Sequence, residues 1–221
     1  MTHAGRLGIV GGTFDPIHWG HLDAATAAAE TLGLTELLFV PSHVPPHRRD
    51  TPRASAFHRF AMVALAIQDL PLATASDLEL GRPGPSYSAD TLAALHAQGW
   101  DPSQIFFVIG TDAFAEIATW RSYPAILDMC HFVVVSRSGT PPDAAVGGRP
   151  DLLARLATPA SLPAHPASTA VIPLTVDTRS VSSTQIRTNV SAGRDIRALV
   201  PSSVATYIAR NQLYGQGQEL A

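Results

Sequence analysis

The chain has 221 residues, 46% of them hydrophobic and 15% charged, which is enough for one sizeable α/β domain and too ordinary for a disordered chain. A net charge of −3 argues against a broad nucleic-acid-binding face, and a single cysteine, Cys130, excludes an internal disulfide and fits a reducing compartment. All 15 basic residues are arginine, so P-loop and pyridoxal-phosphate enzymes are excluded, and any phosphate must be held by Arg, His, backbone N–H groups or a metal.

The first apolar run, 7–10, reads as a buried strand. It feeds Gly11-Gly12-Thr13-Phe14 and then His18-Trp19-Gly20-His21. Glycines let the backbone turn tightly and approach a ligand closely. His18 and His21 share a face if a helix begins near Trp19. A strand, a Gly-rich turn and a helix start make an anion site, because unpaired N–H groups and the helix dipole point at it. A metal pair on the two histidines would need further ligands, and the Glu of a His-Glu-x-x-His helix is missing, so no protein metal site is expected. Plain surface histidines on a strand-turn-helix are the bland alternative.

The Ala-rich stretch 20–32 reads as a helix and 37–40 as a second strand ended by Pro41, completing a βαβ unit. A loop, Pro45-Pro46-His47-Arg48, brings basic donors to its end. Next come a helix over 54–70, a third strand within 72–80, and a helix over 88–98 stopped by Gly99. Ser86-Tyr87-Ser88 opens that helix. Strands at 105–109, followed by Gly110-Thr111-Asp112, and at 131–135 come next. The stretch 139–169 is rich in Pro, Ala and Gly and reads as a surface excursion with one helix at 151–157. A last strand at 171–174 precedes Ser182-Ser183-Thr184-Gln185-Ile186-Arg187. Here a serine caps a helix and Arg187 projects from the face of Ser183, suiting a phosphate oxygen pair. Alone, this motif reads equally as a capped surface helix with a solvated Arg. A closing helix over 202–212 starts after Pro201.

Strands alternating with helices point to an α/β fold with a doubly wound, mostly parallel, Rossmann-like sheet and a small C-terminal helical extension from about 183. Residues 1–221 are expected to form a single domain. No leader pattern and no apolar stretch of roughly 18 residues is seen, which points to a cytoplasmic protein without a membrane partner.

The block Gly11-Gly12-Thr13-Phe14-Asp15-Pro16-Ile17-His18-Trp19-Gly20-His21 resembles the His-x-Gly-His nucleotidylyltransferases, and within them the bacterial nicotinate-nucleotide adenylyltransferases. Val181-Ser182-Ser183-Thr184 with Arg187 is similar to that family's Ile-Ser-Ser-Thr-x-x-Arg. The resemblance implies transfer of the adenylyl group of ATP to nicotinate mononucleotide, giving deamido-NAD and pyrophosphate. It implies ATP contacts at Gly11, Gly12, Thr13, Phe14, Gly110, Asp112, Ser182, Ser183 and Thr184. His18 and His21 would act at the phosphates and Arg187 on the outer ones, with Mg2+ carried by ATP. His47 and Arg48 would grip the acceptor's phosphate, Tyr87 would belong to the acceptor pocket, the Ser88 backbone and hydroxyl would meet the acceptor's carboxylate, and Trp120 would stack on its ring. Arg121 stands where many members carry a second aromatic, and its charge would favour a carboxylate over an amide. Rival acceptors are nicotinamide mononucleotide and phosphopantetheine, and a nucleotide-binding module without turnover is the rival from another class. Whether the chain forms a homo-oligomer is left open.

Overall fold

In the computed structural model, which describes residues 3–46, 51–137, 146–162 and 168–215, strands alternate with helices. They run β1 (Leu7–Gly12), α1 (Trp19–Leu32), β2 (Glu36–Pro41), α2 (Ala56–Ala66), β3 (Ala73–Ala75) and α3 (Ser88–Ala97). Then follow β4 (Ile105–Gly110), α4 (Thr111–Ala115), β5 (His131–Arg137), α5 (Pro150–Leu153), β6 (Val171–Val176), α6 (Ser183–Ser191) and α7 (Ser202–Arg210).

The six strands form one sheet in the order β3-β2-β1-β4-β5-β6. The β1–β4, β4–β5 and β5–β6 pairs are parallel, with Ile9 opposite Phe107, Phe107 opposite Phe132 and Val133 opposite Ile172. Strand order reverses between β1 and β4, the position at which doubly wound sheets open a crevice for a ligand. The carboxyl ends of these neighbours are glycines, Gly11-Gly12 and Gly110. The expected α/β architecture is therefore present.

Several elements differ from the sequence expectation, the closing helix among them, which ends at Arg210 rather than 212. The third strand shrinks to three residues, because Ala73-Thr74-Ala75 at the sheet edge offers little apolar area to bury. The helix expected at 151–157 stops at Leu153, because Leu156 bridges to Val171 instead. There Val171 N–H donates to the Arg155 carbonyl at 2.9 Å and Ala157 N–H to the Val171 carbonyl at 3.0 Å. Beside β6, the last strand of the sheet, that stretch satisfies its backbone as an extended partner. The helix expected over 54–70 is shorter at both ends, starting at the Ser55 cap and ending where Ile67 N–H bonds to Val63.

The chain falls into two compact units, one of Met1–Gly11, Ala24–Leu38 and Tyr87–Asp177, the other of Gly12–Asp23, Phe39–Ser86 and Thr178–Ala221. In the first, Leu7, Ile9, Val10 and all of Ile105 to Ile109 are buried, and Phe106, Phe114 and Phe132 fill the space around them. Its Cys130 is fully buried and burial pushes the thiol far up, so it serves as a small apolar group. In the second, α2 packs on α7, burying Met62, Val63, Val204 and Ile208. The Tyr207 hydroxyl meets His58 Nδ1 at 2.9 Å across that seam. Among the described residues no helix is long and apolar enough to cross a membrane.

Candidate active site

The second unit gathers the two phosphate motifs. Phe14 is buried in the left-handed region, φ 50°, and sits so close to Gly12 that a Cβ there would meet its ring at 3.1 Å. A side chain at Gly12 would displace the ring that supports His21, which stands edge-on to Phe14 at 5.1 Å. His18 and His21 stack at 3.7 Å with 24° between their planes. The His18 backbone N–H donates to His21 Nδ1 at 3.3 Å, so the neutral His21 ring carries its proton on Nε2. His18 is buried, and His21 is half-buried on the first turn of α1.

The α6 end of the cradle is capped by Ser182, whose hydroxyl accepts from Gln185 N–H at 3.2 Å. Ser183 donates its hydroxyl to the Pro16 carbonyl at 2.9 Å. Arg187 Nη1 donates to the Asp15 carbonyl at 2.7 Å, and Nη2 to Thr184 Oγ1 at 3.2 Å. These bonds place α6 directly on the 11–21 motif, and they hold the Arg187 fork in one orientation. The outcome is a helix N-terminus, a guanidinium and two imidazoles in one unit, a donor set suited to a polyanion.

Two buried groups that sequence reasoning missed hold this loop in shape. Asp15, 1% exposed, accepts from Arg53 N–H at 2.8 Å, Ala54 N–H at 3.0 Å and the Tyr214 hydroxyl at 2.9 Å. Burial, reinforced by the Asp15 charge, pushes the Tyr214 phenol well above its usual value. Arg59, also 1% exposed, reaches three carbonyls: Thr13 at 2.6 Å, His43 at 3.1 Å and Ala54 at 3.2 Å. Its signal was present. Arg59, Met62, Val63 and Ala66 share one helical stripe and all are buried, so an arginine stood at an apolar position.

The first unit carries the other predicted groups. Tyr87 precedes α3, Ser88 begins it, and Asp90 lies in its first turn. Arg121 Nη1 pairs with Asp90 Oδ2 at 3.0 Å and its guanidinium carbon lies 4.8 Å from the Tyr87 ring centroid. Arg121 is thus joined to the very segment expected to meet the acceptor. Trp120 is half-buried, edge-on to Phe107 at 6.0 Å. Gly110 precedes α4 and Asp112 is exposed on its first turn. A Cβ at Gly110 would meet nothing within 4 Å, so open space lies at the end of β4. Gly11, by contrast, is demanded by packing, since a Cβ there would meet Phe107 at 3.1 Å. His47 and Arg48 lie outside the described residues. Among the described residues no group of three or more His, Cys, Asp or Glu side chains is gathered for a metal.

The cytidylyltransferase-like family profile matches residues 9–189, from β1 to α6. A protein of Symbiobacterium thermophilum named "Probable nicotinate-nucleotide adenylyltransferase" is 41% identical over 215 residues, covering 96% of this chain and 97% of that one. One of Pseudomonas aeruginosa with the same name is 40% identical over 213 residues, covering 95% and 97%.

The chain belongs to the nicotinate-nucleotide adenylyltransferase family.

Two solved structures of Plasmodium falciparum nicotinic acid mononucleotide adenylyltransferase share the fold of this family member. The one complexed with NaAD has a TM-score of 0.71 at 17% identity, covering 95% of this chain and 97% of that one. The one complexed with APC has a TM-score of 0.67 at 16% identity and the same coverage.

Proposed function

We propose that the chain transfers the adenylyl group of ATP to nicotinate mononucleotide, releasing pyrophosphate and forming deamido-NAD. The observation that carries this reading is the union of the two motifs, Arg187 on Asp15 and Ser183 on Pro16, in a chain about 40% identical to the named family over nearly its whole length.

An oxygen of the acceptor's phosphate attacks the α-phosphorus of ATP. A new P–O bond forms, the bond to the bridging oxygen of the β-phosphate breaks, and its electron pair leaves with pyrophosphate. The second pKa of a phosphate monoester is about 6, so the nucleophile is ionised at neutral pH and no general base is needed. The protein supplies alignment and charge neutralisation. His21 donates from Nε2 to an α-phosphate oxygen, with His18 beside it. The α6 N-terminus, through Ser182, Ser183 and Thr184, and the Arg187 fork hold the β and γ groups. By the family resemblance, Gly11, Gly12, Thr13, Phe14, Gly110 and Asp112 are assigned to the nucleotide, and His47, Arg48, Tyr87, Ser88, Trp120 and Arg121 to the acceptor.

Magnesium enters with the triphosphate in this reading. Asp15, a carboxylate inside the cradle, is already engaged by two amides and a phenol, so the donor set does not fit a resident metal, and the ion would be carried by the nucleotide. A cytoplasmic setting belongs to the same proposal, supported by a composition of one cysteine.

The test is a side-by-side assay of ATP and magnesium with nicotinate mononucleotide, nicotinamide mononucleotide or phosphopantetheine, following pyrophosphate. Preference for the first is expected. Preference for either other acceptor would overturn the acceptor assignment, and pyrophosphate release with none would overturn the enzyme reading.

A further inference from the structure

Asp23 lies on α1 one turn beyond Trp19 and two residues after His21. Arg179 lies three residues before the Ser182 cap of α6. The two are joined by three hydrogen bonds: Arg179 backbone N–H to Asp23 Oδ2 at 3.0 Å, Nε to the same oxygen at 3.0 Å, and Nη2 to Oδ1 at 2.5 Å. The Arg179 guanidinium carbon also stands 4.0 Å from the Trp19 ring centroid. The Arg179 carbonyl passes so near α1 that a Cβ on Gly20 would meet it at 3.2 Å, and would meet the His18 ring at the same distance.

A half-exposed ion pair held by side chains alone stabilises a fold by little. The Arg179 side chain is 49% exposed, so its charge pair is of that modest kind. The backbone bond is different. It fixes the main chain just ahead of the phosphate-facing cap, and fixes it to the helix turn that carries His21. Hydrogen bonds from Arg179 hold the Asp23 carboxyl below the usual carboxylate range, so the pair is charged at neutral pH.

We infer that Asp23 and Arg179, with Trp19, are positioning residues: they lock the main chain entering α6 onto the first turn of α1, and so set the spacing between the His18 and His21 imidazoles and the Ser182 to Arg187 donors. The inference rests on the reading of those groups as a triphosphate site. It has a sign that simple electrostatics does not share. Removing the Asp23 carboxylate takes a negative charge away from a polyanion site, which by charge alone would tighten nucleotide binding. Loss of the lock loosens it.

The experiment titrates the full chain with α,β-methylene-ATP by calorimetry for the wild type, Asp23→Ala, Arg179→Ala, the double variant and Arg179→Lys, with Tm and both substrate KM values alongside. Asp23→Ala, which removes the backbone bond together with the side-chain bonds, is expected to weaken analogue binding about tenfold, since displacements of the order of an ångström cost up to about a hundredfold. Arg179→Ala, whose backbone N–H still donates to Asp23, is expected to weaken it less. The double variant is expected to be no weaker than Asp23→Ala alone, and Arg179→Lys to lose less than Arg179→Ala. The KM for nicotinate mononucleotide stays constant, and Tm moves by less than about 4 °C. Unchanged or tighter binding in Asp23→Ala overturns the inference, as do losses that add in the double variant and follow Tm. A wild type that binds the analogue without adenylyl transfer overturns the proposed function while the binding comparison still decides the lock. A wild type that does not bind it overturns both.

Discussion

The Tyr214 hydroxyl donates to Asp15 Oδ1 at 2.9 Å, joining residues 199 positions apart. Asp15 belongs to the loop between β1 and α1, and its own carbonyl accepts from Arg187. One residue, through its carboxylate and its backbone carbonyl, therefore ties the loop, the α6 arginine and the segment after α7 into a single arrangement within the second unit. Asp15→Ala is expected to destabilise the fold by about 3 kcal/mol, since it leaves a buried amide, a part-buried amide and a buried phenol without an acceptor. Chemical denaturation measures this, and a loss below about 1 kcal/mol would contradict the role given to Asp15.

The same contact gives an alkaline signature. The folded chain holds the Tyr214 phenol above its ordinary value of 10.0, so the protonated form carries the stability. A group raised on folding contributes fully below its unfolded pKa and loses that contribution as pH rises toward the folded one. Wild-type stability is therefore expected to fall above about pH 10, and Tyr214→Phe to flatten that part of the curve. Parallel curves for the two proteins between neutral pH and pH 11 would refute it.

His21→Ala is expected to slow turnover by roughly 10²- to 10³-fold, the scale of losing one donor at developing charge. The ring is half-buried, so the fold should lose little. Steady-state kinetics with thermal melting separates the two effects. Near-normal turnover would remove His21 from the chemistry.

Gly20→Ala sets local propensity against geometry. Alanine stabilises a helix by about 1 kcal/mol over glycine. Here its methyl would press on the Arg179 carbonyl and the His18 ring, each at 3.2 Å. The expected variant keeps its Tm and loses about tenfold in kcat/KM, because His18 must give way. Unaltered kinetics would show that the ring has room to move.

Arg121→Ala probes acceptor choice. Its ion pair with Asp90 is exposed on both sides, so its removal is expected to change stability by less than about 1 kcal/mol. The kcat/KM ratio of nicotinate over nicotinamide mononucleotide is expected to drop. Equal losses on both acceptors would sink the specificity role.

Much of this architecture was legible in particular residues. The run into Gly11-Gly12 with His18 and His21 announced a strand, a turn and a helix start, and β1 and α1 lie there. Ser182 as cap with Arg187 on α6 was equally readable, because caps and helical spacing are local physics. What was hidden depends on distant partners. Arg59 is buried only because three carbonyls, from Thr13, His43 and Ala54, converge on it. Leu156 leaves its helical pattern because β6 offers backbone partners. Asp23 and Arg179 are 156 positions apart, and nothing in either neighbourhood names the other.

The most direct measurement follows the fate of label from ATP carrying radioactive phosphorus at the α-position, in the presence of magnesium and nicotinate mononucleotide. The account expects the label in deamido-NAD, formed in equal amount to unlabelled pyrophosphate. Label recovered as orthophosphate or in pyrophosphate, or remaining in ATP, would contradict adenylyl transfer by this chain.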